Sequence, residues 1–378
     1  MNFDLSQDQK MLVDTAASFA KKSSPVSRSR GLRDDPRGFD PKVWKQMAEL
    51  GWLGLCVPEA AGGFGGRFVD LALVIEQLGK TLVPEPLIPT VVLGGFALAS
   101  GSAAQQERWL SPLAAGELQA ALAWSERDGR YRADACATRA ERVGGGWRLT
   151  GEKTWVLNGH AADLFLVTAR DAAGVSLFAV DRGTKGLVIK PVHTMDGRGA
   201  AMVRLDGAMV VADRLIGEAG QGAAVAEAAL DAAAAAACAE AAGMAQAVLA
   251  MTVEYLKTRE QFGAKIGMFQ ALQHRAVEMF VEVELLKSHS IEASLRIDEP
   301  GGSAEERRAA VSAAMVQLAS GGRQVVRQGI QLHGGIGCTD EHDIGLYFKR
   351  MQTLSQSFGD EEHHLARFAD LTQPRAGA

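Results

Sequence analysis

The sequence predicts an α+β protein in three parts: an N-terminal helical domain over residues 1–117, a middle antiparallel β-barrel domain over 118–217, and a C-terminal four-helix bundle over 218–378. Two changes of apolar period and one long alanine-rich stretch predict it. Apolar residues recur at helical spacing up to about Gly116, alternate in short runs from Leu118 to Gly217, and then return to helical spacing. Between Ala223 and Lys257 there is no proline and only one glycine. A helix there would run on the order of 50 Å at about 1.5 Å per residue. A chain of 378 residues also exceeds the usual size of a single core.

Composition narrows the function classes. Apolar residues at 47% and charged residues at 22% are ordinary for a globular chain. The formal net charge of -5 provides no basic field for nucleic acid or an anionic membrane, so neither is expected as a partner. Cys56, Cys136, Cys238 and Cys338 lie far apart and form no CxxC unit, which argues against a disulfide framework and a zinc site. The amino terminus lacks the basic and apolar blocks of a signal peptide, and the alanine-rich stretch carries too many acids for a membrane span. A cytoplasmic protein without a membrane span is expected.

In the first domain, Ser6-x-x-Gln9 and Ser102-x-x-Gln105 have the form of capping boxes, and Asp40-Pro41 that of an N-cap followed by proline at the first helical position. Phe3, Leu12 and Phe19, then Val43, Trp44, Met47 and Leu50, then Leu71, Val74, Ile75 and Leu78 supply the apolar faces. Gly62-Gly-Phe-Gly-Gly66 lacks the lysine of a P-loop and the flanks of a dinucleotide fingerprint, and reads as a connection. Pro84, Pro86 and Pro89 break the chain before another helix.

In the middle third, strands are expected at Trp147–Gly151, Asp163–Arg170, Val175–Val180, Leu187–Lys190 and Met202–Leu205, with glycine turns between them. After Gly217 four long helices are expected: the alanine-rich one, one from near Phe269, one after the Ser303-x-x-Glu306 capping box, and one beyond Gly345.

The alanine-rich helix carries alanine at 232 to 237, where a surface helix would show leucine on one side and charge on the other, so something large can approach its backbone. Glu240 interrupts it. Its i±3 and i±4 neighbours, Ala236, Ala237, Gly243 and Met244, cannot neutralise it. Two readings stay open for Glu240: an ion pair with another helix, or a carboxylate with a raised pKa in a cleft.

Tyr255-x3-Arg259-x-Gln261-Phe262-Gly263-x-x-Ile266-x-x-Phe269-Gln270, with Gln331-x-His333-Gly334-Gly335-x-Gly337 and Leu149-x-Gly151-x-Lys153-x-Trp155, resembles the acyl-CoA dehydrogenase family over nearly the whole chain. More narrowly, Ser125-Glu126-Arg127 and Phe358-Gly359-Asp360-x-x-His363-His364 resemble the small subunits of pimeloyl-CoA dehydrogenase and related paired bacterial dehydrogenases of acid or steroid breakdown. The resemblance implies an FAD enzyme that dehydrogenates an acyl-CoA thioester across Cα and Cβ, with a carboxylate taking the α-proton and an electron-transfer flavoprotein taking the electrons. It also implies a homo-oligomer or a heteromer with a homologous dehydrogenase subunit. On the matching positions, Ser125, Trp155, Arg259, Phe262, Gln270, Gln331, Gly334 and Gly335 are expected at the cofactor. Arg259 suits a diphosphate, Trp155 offers a flat wall, and the glycines leave room for backbone NH groups. The plainer alternatives are a surface ion pair for Arg259, ordinary core for Trp155 and a helix end for the glycines.

Three departures from the family pattern matter. Leu157 stands where many relatives carry a hydroxyl aimed at the flavin, leaving backbone or Asn158 as substitutes. Arg127, Arg130 and Arg132 crowd the loop after Ser125, which suits CoA phosphates or a second substrate carboxylate, or else a solvated loop. Gly359 occupies the commonest position of the catalytic glutamate and Ala233 the second. The base expected here is Glu240, two helical turns beyond Ala233, with Asp360 as the alternative and a base outside this chain as the third possibility. His363 and His364 have no ligand set beside them, and no metal is expected.

Overall fold

The computed structural model describes residues 4–373; Phe3, placed above in the first apolar repeat, lies outside them. Helices α1 (Gln7–Ser23), α2 (Val26–Gly31), α3 (Pro41–Glu49) and α4 (Phe68–Gly79) come first. A π-helical turn, Leu87–Gly94, then leads into α5 (Gly95–Leu98), followed by α6 (Ala103–Ala114). The strands are β1 (Ala120–Ala123), β2 (Arg139–Val143), β3 (Gly146–Leu157), β4 (Leu164–Asp171), β5 (Gly174–Asp181), β6 (Leu187–His193), β7 (Gly199–Val211) and β8 (Leu215–Ile216). Then come α7 (Gly222–Thr258), the short hairpin β9 (Glu260–Gln261) and β10 (Ala264–Lys265), and α8 (Gln270–Ile297). The last four helices are α9 (Ala304–Gln317), α10 (Arg323–His333), α11 (Ile344–Ser357) and α12 (Glu361–Thr372). Helical, β-rich and helical segments therefore follow in the expected order.

The local signals act as the sequence proposes. Ser6 and Ser102 each close a capping box with Gln9 and Gln105, Asp40 caps α3 ahead of Pro41, and Ser303 accepts from Glu305 and Glu306 at the start of α9. The long helix is α7, 37 residues. By length and composition it could cross a membrane, yet 72% of its most apolar window is buried inside the protein. Of the four long helices expected after residue 217, the third is α9 running through a π-helical turn, Leu318–Gly322, into α10. The fourth, α11, stops at Phe358, and α12 is an additional helix.

The chain divides into two compact units. One takes the chain up to Gly31, Phe68–Val83 and everything from Ala234 onward; the other takes Leu32–Arg67 and Pro84–Ala233. The second unit holds the eight-stranded sheet, in the order β6-β7-β3-β2-β4-β5-β8 with β1 beside β4. Among the described residues the strand pairing does not close on itself, so the expected barrel stands only as a β-rich domain. One residue pair, Arg139 with Arg170, joins β2 to β4, and the edge strand β8 is only two residues long. The β2–β4 and β1–β4 contacts are parallel, a second departure from the antiparallel expectation. Strand β1 is buried throughout, so it shows no alternation by which the sequence would mark it. Leu149, Phe165, Val167, Phe178, Val180, Val203 and Leu205 fill the core of the sheet.

In the first unit the small residues of α7 admit α4 of the same chain. A Cβ on Gly243 would lie 1.8 Å from the Glu76 carbonyl oxygen, and one on Gly79 would lie 2.4 Å from the Glu240 carbonyl oxygen. Only glycine at both positions lets the two backbones meet so closely. The same packing is tied by Gln246, which donates to Glu76 at 2.9 Å, and by the Tyr347 hydroxyl of α11, which donates to the Lys80 carbonyl at 2.6 Å.

Candidate functional site

In the sheet unit, β3 carries the first group of candidate residues. Its pairing with β7 shifts register between Lys153 and Val156, and this bulge turns both Thr154 and Trp155 away from the core while Lys153 and Val156 stay buried. Trp155 has φ +52 and is 53% exposed. A bulky residue held in the left-handed region with its indole in the open is a strained arrangement, of the kind that collects at functional sites. This removes the core-residue reading of Trp155. Beside it, Thr154 N donates to Ser125 O at 2.8 Å, and the two hydroxyls lie 3.4 Å apart.

Two further residues of this edge have partners of their own. Asn158 is buried and its amide donates inward to Gln119 at 2.7 Å and Thr90 at 3.2 Å, so it does not replace the hydroxyl missing at Leu157. Arg132 is held by Asp134 through a forked pair at 3.1 and 2.7 Å, which leaves it less suited to a substrate anion than Arg127 and Arg130, both exposed. The Asp134 carboxylate, accepting those two bonds, is held below its ordinary pKa.

In the helical unit, the second group clusters at helix ends. Tyr255 stacks on His333 with ring centroids 4.7 Å apart, which sets the end of α7 against the end of α10. Arg259 follows one turn after Tyr255, and Gly334 and Gly335 follow His333 directly. Arg259, Phe262, Gln270, Gln331, Gly334 and Gly335 are all exposed. The turn of the β9–β10 hairpin is Phe262-Gly263, with φ +56 and +75, the two positive values of a type I′ turn. That turn prefers Asn-Gly. Here a phenylalanine, 93% exposed, takes the strained first position.

The double glycine gives a direct test of fit for an outside group. Gly334, at φ +63 and ψ −140, adopts a backbone that essentially only glycine reaches. Gly335 does not, and a Cβ there would meet nothing within 4 Å, so the chain's own fold does not require glycine at that position. Open space above exposed backbone suits the approach of an anionic group. His333 beneath them is 2% exposed; its Nδ1 donates to the Gly329 carbonyl at 2.7 Å, and among the described residues its Nε2 has no partner. Burial first, then His342, pushes its pKa down.

The two proposed bases are engaged elsewhere. Glu240 is 5% exposed and accepts two charge-assisted bonds from Arg350 of α11, Nε to Oε1 and Nη2 to Oε2, both 2.7 Å. This is the ion pair with another helix that the sequence left open; to take a proton, both oxygens would first have to leave a buried guanidinium. Asp360 is the N-cap of α12, accepting from His363 N at 2.9 Å. Gly359 itself admits no side chain. It has φ +132, and a Cβ would fall 2.4 Å from His364 Nε2 and 2.7 Å from His363 Cδ2. His364 is buried, its Nδ1 lies 3.2 Å from Ser312 Oγ, and burial, with the charges of His363 and Arg367, pushes its pKa down to about 3. His364 is thus packed between α12 and α9.

Sequence reasoning missed Arg350, whose partner Glu240 lies 110 residues away, and no local pattern marks it.

Models of the acyl-CoA dehydrogenase N-terminal, middle and C-terminal domains match residues 6–117, 121–208 and 220–371. The probable acyl-CoA dehydrogenase YngJ of Bacillus subtilis is 31% identical over 374 residues, 96% of this chain and 97% of that one. The crystal structure of the ChsE4-ChsE5 complex from Mycobacterium tuberculosis contains a chain 27% identical with a TM-score of 0.90, covering 99% of this chain and 100% of that one. PigA, solved with FAD and proline, is 25% identical with a TM-score of 0.91 and covers 98% of both chains. The exposed aromatic residues and open glycines fit the FAD that this family carries. The chain belongs to the acyl-CoA dehydrogenase family of FAD-dependent oxidoreductases.

Proposed function

We propose that this chain is a subunit of an FAD-dependent dehydrogenase that converts an acyl-CoA thioester to a 2,3-enoyl-CoA in the cytoplasm and passes the electrons to an electron-transfer flavoprotein. Residues 1–117, 118–217 and 218–378 would be its domains. The observation that carries the reading is Trp155, a strained and exposed indole beside the Ser125 hydroxyl on a bulged strand. Trp155 would give the cofactor ring a flat wall and Ser125 a hydrogen bond at its edge. Arg259, Gln270, Gln331 and the Gly334-Gly335 backbone would hold the diphosphate, and Phe262 would pack on the adenosine part. Arg127 and Arg130 would meet phosphates of CoA or a second carboxylate of the substrate. When bound, FAD supplies the two-electron acceptor.

A second reading has a specific observation in its favour. With Glu240 paired to Arg350, Asp360 capping α12 and Gly359 closed to any side chain, the carboxylate that removes the α-proton would come from a homologous partner subunit. The chain would then complete a shared flavin site. Association is supported by α8, where Val277, Phe280, Val281, Leu285 and Ile291 are each at least 38% exposed along one helical face.

The test is the visible absorption spectrum of the protein purified alone, with its solution mass measured on the same sample. Bound flavin in a homo-oligomer, bleached by an acyl-CoA, supports a complete enzyme. A colourless protein that acquires flavin only when co-expressed with a homologue supports the shared site. In the first case Glu240→Gln decides the base: retained turnover removes Glu240 from that role, whereas lost turnover with retained flavin restores it.

A further inference from the structure

Below the Trp155 bulge lies a buried ion pair for which the reaction has no direct use. The Lys153 side chain is 0% exposed, and its Nζ donates to Glu126 Oε1 at 2.7 Å and to Thr168 Oγ1 at 2.8 Å. It also lies 3.4 Å from the Trp124 carbonyl and 3.5 Å from Cys136 Sγ. Glu126 in turn accepts from Thr138 Oγ1 at 2.7 Å, Thr138 N at 3.1 Å and Ala137 N at 2.7 Å. Every strong valence of the pair is met. Burying an ion pair is seldom more stabilising than apolar packing of the same volume, so the pair calls for a second role.

Its position in the chain suggests one. Glu126 follows Ser125 directly, and Lys153 precedes Trp155 by two residues, with Thr154 N bonded to Ser125 O at 2.8 Å between them. The pair therefore ties the Ser125 loop to the bulge that presents the indole. The positive φ of Trp155 costs energy and persists only where its surroundings over-determine it. We propose that the Lys153–Glu126 pair is a positioning device that fixes the Ser125 hydroxyl and the Trp155 indole in one register, so that the sheet unit meets FAD with a preformed edge. Preformed contacts bind more tightly than contacts ordered on binding. The proposal rests on Ser125 and Trp155 being the flavin contacts of this unit.

The experiment measures FAD affinity of the full-length protein stripped of flavin, by quenching of flavin fluorescence, together with its thermal midpoint without flavin. Glu126→Gln and the double variant Glu126→Gln/Lys153→Met should each weaken FAD binding roughly 10-fold or more while far-UV circular dichroism stays that of the parent. Thr138→Val, which removes one bond to Glu126, should weaken it by less and keep the fold even where the charge variants lose it. If these variants lower the midpoint but bind FAD as the parent does, the pair is structural only and the proposal fails. Trp155→Ala and Ser125→Ala separate the underlying reading: if both bind FAD with parental affinity, FAD does not use this edge and the proposal falls with that reading.

Discussion

Two buried ion pairs, one in each unit, show how a carboxylate's role follows from what surrounds it. Glu240 and Arg350 face each other from two helices, with both oxygens bonded to one guanidinium. Glu126 meets Lys153 from a loop, and it also accepts from the backbone of Ala137 and Thr138. The first pair fastens α11 to α7, each already rigid. The second fastens a loop to a strained bulge, and it is this pair to which the proposal above gives a part in ligand binding. From the sequence Glu240 had the stronger claim to chemistry, because nothing on its own helix neutralises it; the structure places its counter-charge on another element.

The comparison can be broken most severely at Arg350. Arg350→Met leaves Glu240 buried without its cation and should cost about 3–5 kcal/mol in chemical denaturation, whereas Glu240→Leu/Arg350→Met should recover most of that loss. Recovery would establish that the pair is packing and not a poised acid–base group.

Acid probes the other pair. Burial would raise the pKa of Glu126, but the Lys153 charge and hydrogen bond, with those of Thr138 and Ala137, bring it down to about 2. A lowered carboxylate stabilises the native state above its unfolded pKa of about 4.3, and loses that contribution, about 3 kcal/mol, as pH falls to about 2. Denaturation midpoints followed with pH should show this loss in the parent and not in Glu126→Gln. His364 acts earlier, because its lowered pKa means that only the unfolded chain takes up a proton, so stability begins to fall below a pH of about 6.5. His364→Gln should make that first slope shallower, the buried His333 contributing to what remains.

Gly359→Ala should cost about 2 kcal/mol, since a side chain must adopt φ +132 against His364. The smallest effect is expected at Arg132→Gln, whose exposed pair with Asp134 should leave the midpoint unmoved. Arg127→Gln, by contrast, should raise KM for the acyl-CoA, and equal KM values in the two variants would remove the distinction between these arginines.

Much of this architecture was legible in local pattern. The capping residues Ser6, Asp40, Ser102 and Ser303 each sit where they were read, because a cap is settled within four residues. Five strands were visible as short apolar runs, whereas β1, β2 and β8 were not: β1 has only four residues, β2 is mostly charged and β8 has only two residues. The motif positions around Arg259 and Gly334 were readable as a resemblance, and the structure adds that they are exposed at helix ends set together by Tyr255 and His333.

By itself the sequence determined the helix, strand, helix order, the long alanine helix and the family, since periodicity, caps and motif spacing belong to neighbouring residues. Only the tertiary structure decided which charges are spoken for. Arg350 lies 110 residues from Glu240, and Lys153 lies 27 from Glu126. It also decided that α4 meets α7 at Gly79 and Gly243, and that Gly359 is closed by His364. Electrostatic partners and steric exclusion depend on distance in space, and a chain brings its distant residues together only when it folds.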